Sequence, residues 1–243
     1  MIEVEDIHKR FGAVQAVNGV SFRVADSRIT GLLGPNGAGK STTLRILSTV
    51  LKPDAGTVRV DGSDVRDAPL AARLKLGVLP HASGLYPRLT ARENIRYYGE
   101  LNGLAGRMLD ARIDELVELL EMREFAERPA KGFSQGQRIK VALARALVHK
   151  PRNLALDEPT NGLDVMATRA LRATIRRLRD QGHCVLFSSH VMQEVAQLCD
   201  AIVIIAHGRI VAQGTPEDIR RQTGETDLEE AFVKAVGESG ASA

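Results

Sequence analysis

An apolar run, ITGLLG (29–34), leads directly into GPNGAGKST, from Gly34 to Thr42, and then into TLRILSTV, which has the spacing of a helix. A strand that feeds a glycine-rich loop and then a helix leaves few folds open. The loop must gather its backbone N–H groups around one concave point at the helix start. Gly34, Gly37 and Gly39 permit that turn where a Cβ would obstruct close approach. With the positive end of a helix dipole behind it, such a cradle suits a phosphate. Lys40 adds a full charge, worth about 4 kcal/mol against an opposite charge ~4 Å away in a partly solvated site, before desolvation is counted. The Ser41 hydroxyl is placed to face Mg²⁺, and Pro35, Asn36, Ala38 and Thr42 complete the loop as candidate nucleotide contacts.

The flanking sequence supplies a core for such a loop. Short apolar segments, LGVLP (76–80), NLALD (153–157), HCVLFSS (183–189) and AIVIIA (201–206), alternate with helical patterns, which predicts an α/β fold with a mainly parallel sheet. IEVEDIHKRF and the segments around SFRV and GTVRVDG predict a small antiparallel side sheet. Between about residues 88 and 150 the strand signals vanish, and Ile113, Leu116, Val117 and Leu120 recur at three-and-four spacing. The expected layout is one domain: a core of about 1–87 and 151–225, an inserted helical subdomain at 88–150, and a C-terminal helix and tail at 226–243. A chain of 243 residues, 44% hydrophobic, has ample material for that core. No apolar run is long enough to cross a bilayer and MIEVEDIHKRFG lacks the features of a signal peptide, so a cytosolic chain without its own span is expected. The net charge of +3, with both signs interspersed, does not call for a nucleic-acid partner. Cys184 and Cys199 lie in or beside apolar segments and are expected to be buried free thiols.

Two further constellations carry chemistry. NLAL leads into Asp157, Glu158 and Pro159, so two carboxylates emerge at the C-terminal end of a buried strand, where open α/β sheets place their ligands. Asp157 is suited to hold Mg²⁺ through water, and Glu158 to orient or deprotonate an attacking water. FSQGQRIKVALARALV (133–148) places Ser134 as a helix N-cap, followed by Gly136 and Gln137, which makes a second anion site.

The loop at 34–42, FSQGQ at 133–137, LALDEPTNGLD at 154–164 and His190 after a strand together resemble the ATP-binding subunits of ABC transporters, over nearly the whole chain. The resemblance implies ATP and Mg²⁺ as cofactors and ATP hydrolysis as the reaction. It implies that Ser134, Gly136 and Gln137 act on ATP held by the Lys40 of a second ATP-binding subunit, in a homodimer or beside a similar chain. It implies a separate integral membrane permease and a place on the cytoplasmic face of the membrane. Asn161 to Asp164 resembles the loop that crosses the dimer interface, and His190 the histidine that contacts the γ-phosphate. Phe11 falls where the family stacks an aromatic ring on adenine; a core position is the alternative.

The chain departs from the family pattern in two places. Phe133 and Gln135 stand where leucine and glycine are commonest, and His81 stands where most members carry a glutamine that senses Mg²⁺ and links the site to the membrane subunit. A neutral His81 is expected to offer a ring nitrogen to the metal or the lytic water, making hydrolysis fall with acid more steeply than usual. GLYPRLTARENIRYYG and DLEEAFVKAV resemble an exporter branch that includes sodium-extrusion and drug-resistance subunits. Leu85, Tyr86 and Leu89 are either contacts for the membrane subunit or helical-subdomain core. One rival reading is an ABC-type ATPase acting on nucleic acid or the ribosome, invited by a stripe of Arg169, Arg172, Arg176 and Arg179, and a second is a module that senses ATP without turnover, against which Glu158 and His190 argue.

Overall fold

The structure, a computed structural model, describes residues 1–82 and 84–240, the last three of these by backbone alone. The chain opens with β1 (Ile2–Phe11) and β2 (Val14–Val24), then β3 (Ile29–Leu33) and helix α1 (Lys40–Leu47). β4 (Ala55–Val60), β5 (Ser63–Asp64), α2 (Pro69–Lys75) and β6 (Leu76–Leu79) follow. Three helices come next: α3 (Ala91–Leu101), α4 (Gly106–Leu119) and α5 (Gln135–Leu147). The chain then alternates β7 (Asn153–Asp157), α6 (Val165–Asp180), β8 (Cys184–Ser189), α7 (Met192–Leu198) and β9 (Ala201–Ala206), and closes with β10 (Arg209–Gly214), α8 (Pro216–Thr223) and α9 (Leu228–Gly240).

Two sheets result, as the sequence predicts. The six-stranded sheet runs β10-β9-β3-β8-β7-β6, parallel except for β10, and the four-stranded antiparallel sheet runs β2-β1-β4-β5. Strands β3 and β8 are buried along their whole length, which is why they read as unbroken apolar runs instead of alternating ones. β10 has no such run. It is produced by a two-residue turn in which His207 and Gly208 both have positive φ (49° and 75°), the geometry that matches the twist of an antiparallel pair. β2 is longer than the segment around SFRV suggests, because its first half pairs with β1 through a register shift near Arg10.

β3 divides two cores. Ile29 and Leu33 face a cluster that continues through Leu79 and Leu154 into Leu143 and Leu147 of α5, then Ile95 and Ile113 of α3 and α4. Leu32 faces the other cluster, with Ile46 and Leu47 of α1 and Ile2, Val20 and Phe22 of the small sheet. α5 is therefore buried on nearly every side from Val141 to Leu147, lying between the sheet and its neighbouring helices. Residues 241–243, the end of the expected tail, lie outside the described residues.

Candidate active site

The parallel register sets Leu33 beside Ser189 and Asp157 beside Ser188, so the C-terminal ends of β3, β7 and β8 finish level with one another. Three loops leave that edge together: the glycine loop, the Asp157–Glu158 turn and the segment ending in His190.

The glycine loop is held by the protein before any ligand arrives. A Cβ on Gly34 would stand 2.2 Å from the Ile205 carbonyl, and one on Gly39, whose φ is +110°, would stand 2.6 Å from the Ala16 carbonyl. The obstruction expected against a ligand is thus, at these two positions, first an obstruction against the chain's own backbone. The Gly208 N–H donates to the Ala38 carbonyl at 3.0 Å and the Asn18 N–H to the Gly208 carbonyl at 2.7 Å, fastening the loop to the β9–β10 turn and to β2. α1 begins at Lys40, with Gly39 as N-cap, three residues earlier than the segment TLRILSTV implies. Pro35, Asn36, Gly37 and Ser41 are exposed, Thr42 is half-buried, and Gly34, Ala38, Gly39 and Lys40 are buried.

Lys40 is only 5% exposed. Its Nζ donates to the carbonyls of Gly34 (2.7 Å) and Pro35 (3.1 Å) and lies 3.8 Å from Glu158 Oε1. Burial pulls its pKa below the usual lysine value, with Glu158 and Asp157 opposing that shift.

Glu158 sits at the centre of the cluster. Its side chain is 14% exposed; Oε1 is 3.3 Å from His190 Nδ1, and Oε2 is 3.8 Å from His81 Nδ1. Its φ of 47° is unusual for a residue with a side chain and costs of order 1 kcal/mol, so neighbouring bonds must hold it. One comes from Ser188, which sequence reasoning missed. The buried Ser188 hydroxyl donates to Asp157 Oδ1 at 2.8 Å and accepts from the Glu158 N–H at 2.9 Å. The only sequence signal for it is its place two residues before His190, which matters once the strand register is known.

Oxygen ligands suit a hard cation such as Mg²⁺, and the Asp157 carboxylate and Ser41 hydroxyl are of that kind. No three-residue cluster of His, Cys, Asp and Glu that could hold a metal exists among the described residues.

The second predicted anion site is built differently. Ser134 Oγ accepts from the Gln137 N–H while Gln137 Oε1 accepts from the Ser134 N–H, a reciprocal cap at the start of α5. Ser134 is exposed, Gly136 and Gln137 are half-buried, and among the described residues no hydrogen bond joins them to the Lys40 cluster. Gln135 reaches the Asn161 carbonyl at 3.5 Å.

Phe11, 47% exposed at the end of β1, is on the surface, which removes its core alternative. Leu85 packs against the larger core, Leu89 is half-buried, and Tyr86 is exposed with its ring edge-on to Tyr97 at 5.2 Å. A groove of about 530 Å³ runs from His81 past Arg145 to Tyr98, between the sheet and the helices. A larger depression of about 750 Å³, lined by Arg112, Lys150, Arg177 and His183, lies at the opposite ends of β7 and β8, away from this chemistry. Three arginines of the stripe are committed within the molecule: Arg172 to the Gln197 side chain, Arg176 to the Gln197 carbonyl, and Arg179 to Asp180 and Asp200. Both cysteines are buried free thiols; burial pushes Cys184 up to about 12 and Cys199 higher still.

Residues 17–161 match the family model described as ABC transporter. The chain is 40% identical over 238 residues to the ABC transporter ATP-binding protein NatA of Bacillus subtilis, covering 96% of this chain and 97% of that one. The chain belongs to the ABC transporter family. It is also 37% identical over 219 residues to the Nod factor export ATP-binding protein I of Ralstonia nicotianae, covering 90% of this chain and 68% of that one. Among solved structures it resembles a dimeric ATP-binding cassette in a post-hydrolysis state bound to ADP and Pi, with a TM-score of 0.80 and 25% identity over 88% of this chain and 98% of that chain. As an ABC transporter ATP-binding subunit, the chain binds ATP and is an ATPase. Cassettes of this family form dimers and work with membrane subunits, and among the described residues no helix is long and apolar enough to cross a membrane. These relationships favour the transporter reading over an ATPase that acts on nucleic acid.

Proposed function

We propose that the chain energises export through a separate integral membrane permease, as a homodimer at the cytoplasmic face of the membrane. Two ATP molecules lie between the copies, each gripped by the Lys40 loop of one and the Ser134–Gln137 cap of the other. The observation that carries this reading is the grouping around Glu158, with His190 at 3.3 Å, Lys40 at 3.8 Å and His81 at 3.8 Å. That is the constellation needed to orient a water against a terminal phosphate.

Lys40 exchanges its two carbonyl partners for phosphate oxygens, which compensates the burial of its charge better than neutral carbonyls do. Glu158 accepts a proton from the attacking water, and His190 holds the water and the γ-phosphate in place. Ser41 and Asp157 would hold Mg²⁺, which would neutralise charge on the phosphates. Phe11 stacks on the adenine. Residues 88–150 act as the helical subdomain, turning against the core of 1–87 and 151–225, and the exposed Tyr86 beside the His81 groove meets the permease. Resemblance to a protein named for Nod factor export supports the outward direction.

Glu158→Gln tests the central assignment. The variant is expected to keep ATP affinity, to lose about 10²- to 10³-fold in phosphate release, and to accumulate as a dimer on size exclusion with ATP and Mg²⁺. Normal turnover by this variant would remove the base from the scheme.

A further inference from the structure

Glu194 lies in the first turn of α7, outside every motif considered so far, yet it joins two of the three loops of the site. Its side chain is 14% exposed, and its Oε2 accepts from Thr160 Oγ1 at 2.6 Å and from Ser189 Oγ at 3.0 Å. Thr160 is two residues after Glu158, and Ser189 is one residue before His190. Ser189 Oγ in turn accepts from the Val191 N–H at 3.0 Å, so its hydroxyl hydrogen is directed to the carboxylate and its lone pair to the chain just past His190. Each hydroxyl donates once and Oε2 accepts twice, a fully consistent set of charge-assisted bonds in a mostly dry setting. The other oxygen, Oε1, faces Arg172 Nη2 at 3.9 Å, and Arg172 is itself tied to Gln197 of the same helix.

We infer that Glu194 is a positioning residue that clamps the turn after Glu158 to the strand end before His190 and so sets the distance between their side chains. The inference deepens the reading of Glu158 and His190 given above and rests on it. Two observations support a clamp over an ordinary helix-start acid. Glu158 occupies a positive φ that needs support on both sides: Ser188 bonds its N–H, while the turn beyond, in which the Asn161 N–H donates to the Glu158 carbonyl at 3.1 Å, is anchored only one residue away by Thr160. In addition, the His190 ring itself is 44% exposed, so its placement must come from the backbone that carries it.

The test is steady-state ATP hydrolysis by the full chain with Mg²⁺, together with ATP affinity and thermal unfolding. Glu194→Ala is expected to lower kcat about 10- to 100-fold with ATP affinity held within about threefold, because misplacement of reacting groups by about 1 Å costs on that order. Glu194→Gln, whose amide oxygen can accept both hydroxyls, is expected to retain most of the rate. The pair Thr160→Val and Ser189→Ala, which removes the donors and leaves the carboxylate, should reproduce the fall, and combining it with Glu194→Ala should add nothing further. If Glu194→Ala does not fold, the Gln variant and the donor pair decide. Unchanged kcat in Glu194→Ala or in the donor pair, or a loss wholly in ATP affinity, overturns the clamp. His190→Ala and Glu158→Gln run in the same assay separate the two layers: normal turnover by these sinks the reading of the site, whereas their inactivity beside a fully active Glu194→Ala sinks the clamp alone.

Discussion

At the scale of single residues, the site is a contest over one carboxylate. Glu158 has Lys40, His190 and His81 within 4 Å, and two of these partners are histidines. Replacing His81 with alanine removes the Nδ1 that faces Glu158 Oε2 at 3.8 Å and should lower kcat with ATP affinity unchanged, measured as phosphate release; an unchanged kcat would dismiss a role for His81. Lys40, Asp157 and Glu158 were legible because each follows a local cue, either the loop spacing or the end of an apolar run, whereas His190 was singled out through the family resemblance. Ser188 and Glu194 were not, because their meaning arises from pairings about thirty residues apart along the chain that only the sheet register creates.

Among the elements, α5 has two separable duties at its first turn. The Ser134–Gln137 cap stabilises the helix, and in the reading proposed above the remaining N–H groups of that turn would face a phosphate held by the other copy. Ser134→Ala should cost about 1 kcal/mol, a fall of about 2–4 °C in Tm for a chain this long, and should also abolish ATP-driven dimerisation. Ser134→Asp keeps a good cap but adds a negative charge facing the phosphate, so it should restore Tm without restoring the dimer on size exclusion. Equal behaviour of the two variants in both assays would mean that Ser134 acts on stability alone. The parallel strands and the amphipathic α4 were legible from their periods, 2 replaced by buried runs and 3.6 respectively. β10 was not, since its turn uses His207 at a positive φ, a position where glycine, asparagine or aspartate would have signalled it.

For the molecule as a whole, the exposed rings of Tyr86 and Tyr97, 44% and 40% accessible, stack edge-on beside the His81 groove, and Tyr98 continues the row onto the buried Arg145 at 3.5 Å. A surface of this kind suits an apolar partner with a polar rim. Replacing Tyr86 and Tyr97 with serine should diminish co-purification of the permease from membranes while basal ATP hydrolysis by the isolated chain stays within about twofold; undiminished co-purification would place the contact elsewhere. The arginine stripe shows how far periodicity can be read without a structure: its spacing was right, but Gln197, Asp180 and Asp200 take up three of its four members. The bonds from Gly208 to Ala38 and from Asn18 to Gly208 have a consequence of their own, because they weld the strand pair carrying Phe11 to the turn carrying Lys40. A nucleotide seated as proposed would have its base and its inner phosphates on one joined unit, leaving its outermost phosphate to report whether an opposing copy has arrived.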